Sequence, residues 1–298
     1  MIQIESVTKS FDSFVALDNL SLHIKKGSIY GLIGINGAGK TTIIKHLAGI
    51  YRQDAGTILF EGKPVYDDES IKERIGFIPD DFYVFSNYSI KMLRNFYRNT
   101  YKNWNDEYYE KLIQLFKLDP NRRIKDFSKG MQKQTAFVFA MSITPDFLLL
   151  DEPIDGLDPL VRKLLLQEIV EDVANREMTV LVSSHNLKEM EGMCDSIGIM
   201  KGGRMIVERD IDDLKSDIHK VQLAFSQGTE MGIEKFGDLN ILHNENRGSV
   251  ELLVIRGKEE DIRERINTLH PLVYDLLPLT LEEIFTYETE REFNEVPY

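Results

Sequence analysis

Gly34-Ile35-Asn36-Gly37-Ala38-Gly39-Lys40-Thr41-Thr42 fills every position of the pattern G-x-x-x-x-G-K-[ST]. Tyr30–Ile35 is a short apolar strand that runs into this stretch, and Thr42–Leu47 has helical character after it. Strand, glycine-rich loop and helix together make an α/β phosphate-binding unit. Each part has a physical task. The glycines let successive backbone N–H groups turn inward on an anion. The helix opening near Lys40 adds its positive dipole end. Lys40 supplies a cation for the β- and γ-phosphates, and the Thr41 hydroxyl is placed to ligate Mg²⁺. Gly34, Asn36, Gly37, Ala38, Gly39, Lys40, Thr41 and Thr42 are therefore the expected nucleotide contacts. This motif alone does not choose between ATP and GTP.

A second stretch completes the chemistry. Phe147-Leu148-Leu149-Leu150 reads as a fully buried parallel strand, with Asp151 and Glu152 emerging at its C-terminal end and Pro153 following. Open α/β sheets bind ligands at that edge. Asp151 is expected to hold Mg²⁺, and Glu152 to polarise the attacking water as general base. Either motif alone is weaker evidence than the two together.

The bulk composition narrows the function classes. With a formal charge of −13, the 298 residues lack the basic footprint of a nucleic-acid binder, and no nucleic-acid partner is expected. The one cysteine, Cys194, cannot form an internal disulfide and fits a reducing compartment. No apolar run is long enough to span a bilayer, so no direct membrane insertion is expected. The start, Met1–Ser10, alternates like a strand and not like a secretion signal.

Further strands read at Ile2–Val7, Leu20–Ile24, Ile75–Pro79 and Thr179–Ser183, with a closing hairpin formed by Ser196–Met200 and Met205–Glu208. Between about 82 and 141 the apolar spacing is helical, as it is over Val161–Asn175. Near residue 215 the character shifts. Residues 216–298 carry eight Lys and Arg against seventeen Asp and Glu, with strand and helix signals of their own at Val221–Phe225, Val250–Ile255, Lys258–Leu269, Val273–Leu277 and Thr280–Tyr287. We expect a main domain over 1–215 and a small acidic α/β domain over 216–298.

The chain resembles the nucleotide-binding subunits of ATP-binding-cassette (ABC) transporters over roughly residues 1–215. Phe127-Ser128-Lys129-Gly130-Met131-Gln132 is similar to the family's Leu-Ser-Gly-Gly-Gln signature, departing from it at Lys129 and Met131. By that resemblance Ser128 and the Gly130 N–H reach the γ-phosphate of ATP held by a second subunit, although Ser128 is equally suited to cap a helix. His185, after Ser183-Ser184, matches the family histidine that contacts the γ-phosphate. Asp158, in Gly156-Leu157-Asp158-Pro159, matches the loop that meets the partner subunit, while Asp-Pro also favours a plain turn. Phe11 matches the aromatic residue that stacks on adenine, and a core phenylalanine at a strand end is the competing reading. Asp80 stands where the family has a glutamine that touches Mg²⁺ and faces the membrane subunit, and a carboxylate still coordinates that ion.

The resemblance implies an ATPase with the ABC fold: a mixed β subdomain, a parallel core sheet and a helical subdomain over about 82–141. It implies ATP and Mg²⁺ as cofactors and a head-to-tail pair with a second ATPase subunit, as homodimer or heterodimer. It also implies a separate transmembrane permease subunit, hence a cytoplasmic location on the inner face of the cell membrane. The ending Leu277–Phe285 resembles extensions of exporter ATPases, with a further likeness to the branch exporting amphipathic or antimicrobial peptides, such as phenol-soluble modulins. A dimerisation or regulatory role is expected for this tail. The competing class is a soluble ABC ATPase of translation or DNA repair. A single cassette, the short helical segment and the acidity all speak against that class.

Overall fold

The computed structural model describes residues 1–80, 85–225, 236–284 and 286–287. The start of the expected helical segment, 82–84, lies outside these residues, as do Phe285 and everything from 288 onward. The chain divides into two compact units, Met1–Glu208 and Arg209–Tyr298.

In the first unit β1 (Ile2–Phe11) and β2 (Phe14–Ile24) form an antiparallel hairpin. The next strand, β3 (Ile29–Ile33), leaves that sheet and runs into the glycine-rich loop and α1 (Lys40–Leu47). β4 (Ala55–Phe60) returns to pair with β1, and β5 (Lys63–Pro64) completes a four-stranded sheet in the order β2-β1-β4-β5. After the short α2 (Glu69–Lys72), β6 (Ile75–Ile78) enters a second sheet.

Three helices follow: α3 (Ile90–Thr100), α4 (Asp106–Leu115) and α5 (Lys129–Ser142). Ser89, Asn105 and Ser128 cap them by accepting backbone N–H groups of Met92, Tyr108 and Met131. Such caps contribute about 1 kcal/mol each. Tyr97, Trp104 and Tyr109 pack around Phe139 of α5, with ring centroids 4.9, 5.9 and 5.9 Å from it. The helical pattern expected over 82–141 is thus three capped helices around an aromatic cluster.

The chain then alternates through β7 (Phe147–Asp151), α6 (Pro159–Arg176), β8 (Thr179–Ser184), α7 (Leu187–Glu191), β9 (Ser196–Lys201) and β10 (Arg204–Asp210). The second sheet has six strands in the order β10-β9-β3-β8-β7-β6. The register from β6 through β7, β8 and β3 to β9 is parallel. Every residue of β3, β7 and β8 is buried, which explains the apolar runs Phe147–Leu150 and Val180–Val182. α1 buries Ile43, Ile44 and Leu47 in the core shared with Leu20, Leu32, Leu149 and Leu181. Packing of that face holds the N-terminus of α1 at the C-terminal edge of the sheet.

In the second unit α8 (Ile211–Asp217) leads into β11 (Ile218–Ala224), followed by β12 (Asn240–Arg247), β13 (Val250–Arg256), α9 (Glu259–Asn267) and β14 (Val273–Leu277). The strands form an antiparallel sheet in the order β12-β13-β11-β14. Ile262 and Ile266 of α9 close its core with Val221, Leu223, Phe236, Leu253 and Ile255. β12 carries little strand signal, since Asn240, His243, Asn244, Glu245 and Asn246 are polar. It forms because the edge of β13 supplies its hydrogen-bond partners.

Candidate functional site

The glycine-rich loop closes over the end of β3. Ala38 N–H donates to the carbonyl of Ile35, and Ile43 N–H to that of Gly39. Gly39 sits at φ 106° and Gly37 at φ 83°, both in the left-handed region that a β-carbon penalises. The two glycines then differ. A β-carbon on Gly39 would lie 2.8 Å from the Ala16 carbonyl oxygen, whereas one on Gly37 would meet nothing within 4 Å. Gly39 is therefore required by packing, and Gly37 faces open space where a ligand approaches.

That space is a cavity of 260 Å³ lined by Phe14, Ala16, Asn36 through Thr42, Asp80 and Glu152. Lys40 is buried, and its ammonium donates to the Gly34 carbonyl at 2.6 Å and lies 3.3 Å from Glu152 Oε1. Gly34 is not in the lining; it packs against Met200 and supplies that carbonyl.

One hydroxyl ties the Asp151 carboxylate to the Glu152 main chain at the end of β7. Ser183 Oγ, fully buried on the adjacent β8, donates to Asp151 Oδ1 at 2.8 Å and accepts the Glu152 N–H at 3.1 Å. Burial pushes the Asp151 carboxyl up from the usual carboxylate range, and the negative charges of Asp80 and Glu152 add to this. Hydrogen bonds with Ser183 and Thr41 oppose it. Glu152 adopts φ 48°, a left-handed conformation, and its second oxygen lies 3.0 Å from His185 Nδ1. His185 Nδ1 is also 4.0 Å from Asp155.

The donor set fits a hard divalent cation. The Thr41 hydroxyl and the Asp151 and Asp80 carboxylates are oxygen donors of the type Mg²⁺ takes. Clustered acids that raise one another's proton affinity gain when a cation joins them. Asp80 Oδ1 meanwhile lies 3.1 Å from the ammonium of Lys133.

The sequence-predicted residues fall into two groups. Lys40, Thr41, Asp80 and Glu152 line the cavity, with Asp151 beneath and His185 hydrogen-bonded to Glu152. Ser128 and Gly130 are not in the lining. Ser128 caps α5, and a β-carbon on Gly130 would lie 3.4 Å from the Gly156 carbonyl. Asp158 caps α6 by accepting the Leu160 N–H at 2.9 Å. Phe11 is paired in register with Phe14, but its ring meets Tyr51 edge-on at 5.5 Å, and Phe14 is the one that lines the cavity.

Sequence reasoning missed Phe14, Ser183 in its clamping role, Asp155 and Lys133. Phe14 had a signal in its position opposite Phe11 across a tight hairpin. The others are joined only by tertiary contact.

Known proteins place the chain in a family. A family model described as "ABC transporter" matches residues 17–155. The ABC transporter ATP-binding protein YtrB of Bacillus subtilis (strain 168) is 32% identical over 285 residues, covering 96% of this chain and 97% of its own length. The lantibiotic transport ATP-binding protein SrtF of Streptococcus pyogenes is 33% identical over 218 residues, 71% of this chain and 92% of its own. Among solved structures, the ATP binding subunit of an ABC transporter superposes with a TM-score of 0.67 at 27% identity, covering 72% of this chain and 92% of that one. On the near full-length match to YtrB above all, the chain belongs to the ATP-binding proteins of ABC transporters.

Proposed function

We propose that this ABC transporter ATPase works in export, as one of a head-to-tail pair of ATPase subunits bound to a separate permease at the inner face of the cell membrane. The observation that carries the paired site is the composition of the cavity. It is lined by the phosphate loop and the Glu152 carboxylate, with His185 hydrogen-bonded to Glu152, whereas Ser128 and Gly130 lie outside the lining. A second subunit presenting those two residues completes the nucleotide's surroundings, with Asp158 at the contact between subunits.

In this reading Lys40 and the loop N–H groups grip the phosphates, and Phe11 and Phe14 flank the adenine. Thr41, Asp151 and Asp80 would hold Mg²⁺, which would supply charge neutralisation on the phosphates. Glu152 takes the proton of the attacking water, while His185, hydrogen-bonded to Glu152, keeps that carboxylate oriented toward the γ-phosphate. Transport of a peptide, drug or antibiotic is supported by the lantibiotic transport role in the name of SrtF. The 216–298 unit serves dimerisation or regulation. Action in translation or DNA repair is disfavoured, since the relatives are transporter ATP-binding proteins. Among the described residues no helix is long and apolar enough to cross a membrane, so the pathway belongs to the permease.

The test is Glu152→Gln in the full chain, studied by size-exclusion chromatography with light scattering. Removing the base while keeping the shape should abolish turnover and leave an ATP-dependent dimer. A variant that still hydrolyses ATP, or that stays monomeric with ATP when its copurified membrane partner is present, refutes the composite site.

A further inference from the structure

Lys133 lies on α5, five residues beyond the cap Ser128, and its side chain is only 10% exposed. A buried ammonium persists only where acceptors surround it. Here there are two, on different segments. Asp80 Oδ1, after β6, lies at 3.1 Å, and the main-chain carbonyl of Glu152, after β7, lies at 2.7 Å.

The second contact matters because of where it falls. Glu152 holds a left-handed backbone at φ 48°, which residues with a β-carbon rarely adopt. Its peptide is gripped on both sides: Ser183 accepts its N–H at 3.1 Å, and Lys133 donates to its carbonyl. Those bonds fix the direction in which the Glu152 carboxylate leaves the strand. The same ammonium holds Asp80, whose negative charge is felt at Asp151.

We propose that Lys133 is a positioning residue for ATP hydrolysis, clamping the general base Glu152 through its carbonyl and Asp80 through its carboxylate. The assignment rests on the reading of Glu152 as the base. The ammonium touches neither water nor phosphate in this role. It holds two segments of the site in one register with α5, the helix whose N-terminus carries Ser128 and Gly130. A lysine here can do this because its charge satisfies a carboxylate and a carbonyl together. The pairing also gives a reason for an aspartate at position 80, since a neutral amide there would leave the buried ammonium without an anion.

A double-mutant comparison in the full chain tests this, reading ATPase kinetics and binding of a fluorescent ATP analogue in EDTA. Lys133→Met should lower kcat about tenfold or more, the range for residues that orient a site from behind. KM for ATP and analogue binding should change less than about threefold, because the phosphate loop is untouched. Lys133→Arg, which keeps the cation, should retain more than about a third of kcat. Asp80→Asn should also lower kcat, and the double variant should fall no more than about twofold below the worse single one, as expected for partners in one contact. If Lys133→Met no longer binds the analogue, Lys133→Gln, which keeps a donor, reads the same coupling. Undiminished kcat in the Lys133 variants that bind nucleotide, or losses that multiply independently with Asp80→Asn, overturn the assignment. Glu152→Gln is measured alongside. If it retains turnover, the base assignment itself fails; if it abolishes turnover while the Lys133 and Asp80 effects multiply, only the clamp fails.

Discussion

Replacing Lys40 with methionine separates nucleotide binding from folding. The side chain is buried, with its ammonium 2.6 Å from the Gly34 carbonyl and 3.3 Å from Glu152. Methionine has similar length and fills the same channel, so packing is largely kept. The folded chain loses one hydrogen bond and one largely buried ion contact, about 3–5 kcal/mol together. For a unit of this size that lowers the melting midpoint by roughly 6–20 °C. The loss in ATP affinity is a separate quantity. Two charge-assisted bonds to phosphate, at roughly 1.5–3 kcal/mol each, amount to about 3–6 kcal/mol, or 10²–10⁴-fold in Kd. The cavity also becomes more repulsive to an anion, since Asp80, Asp151 and Glu152 remain. Titration of a fluorescent ATP analogue with Mg²⁺, beside thermal unfolding followed by circular dichroism, measures both quantities. A Kd within about tenfold of the parent would refute the phosphate-cradle reading, as would a chain that no longer unfolds cooperatively.

Asp80→Ala removes the proposed metal donor and leaves the Lys133 ammonium with the Glu152 carbonyl alone; steady-state ATPase activity should fall, and unchanged turnover and transport would remove Asp80 from the site. Phe11→Ala and Phe14→Ala should each weaken ATP about 2–12-fold, the value of one aromatic stacking contact, while leaving inorganic triphosphate binding unchanged. Equal weakening of triphosphate would show that neither ring touches the base. Deleting 216–298 should alter dimer formation or basal ATPase rate; a truncated chain that matches the full one in both, by light scattering and turnover, leaves that unit with neither role.

Much of the nucleotide site is legible in the sequence because its chemistry is local. A glycine-rich turn, a lysine and a hydroxyl must follow one another to wrap a phosphate, so Gly34–Thr42 announces itself. The acidic pair is readable for a similar reason, since Asp151 and Glu152 need only the four apolar residues before them to reach the sheet edge. Phe14 shows the limit of this kind of reading. The sequence surroundings single out Phe11, whose ring meets Tyr51 edge-on, while its cross-strand neighbour Phe14 lines the cavity.

Residue order thus determines the phosphate loop, the buried parallel strands and the helical segment, because backbone turns and 3.6- or 2-residue periods are short-range properties. It does not determine which side chains meet across strands. Ser183 reaches Asp151 over 32 residues, and Lys133 reaches Asp80 over 53. Neither pair has a spacing that a sequence pattern could carry. They exist because α5 packs beside β6 and because β7 and β8 run in parallel register, which brings distant buried polar groups together. Each then needs a partner, and the structure supplies it.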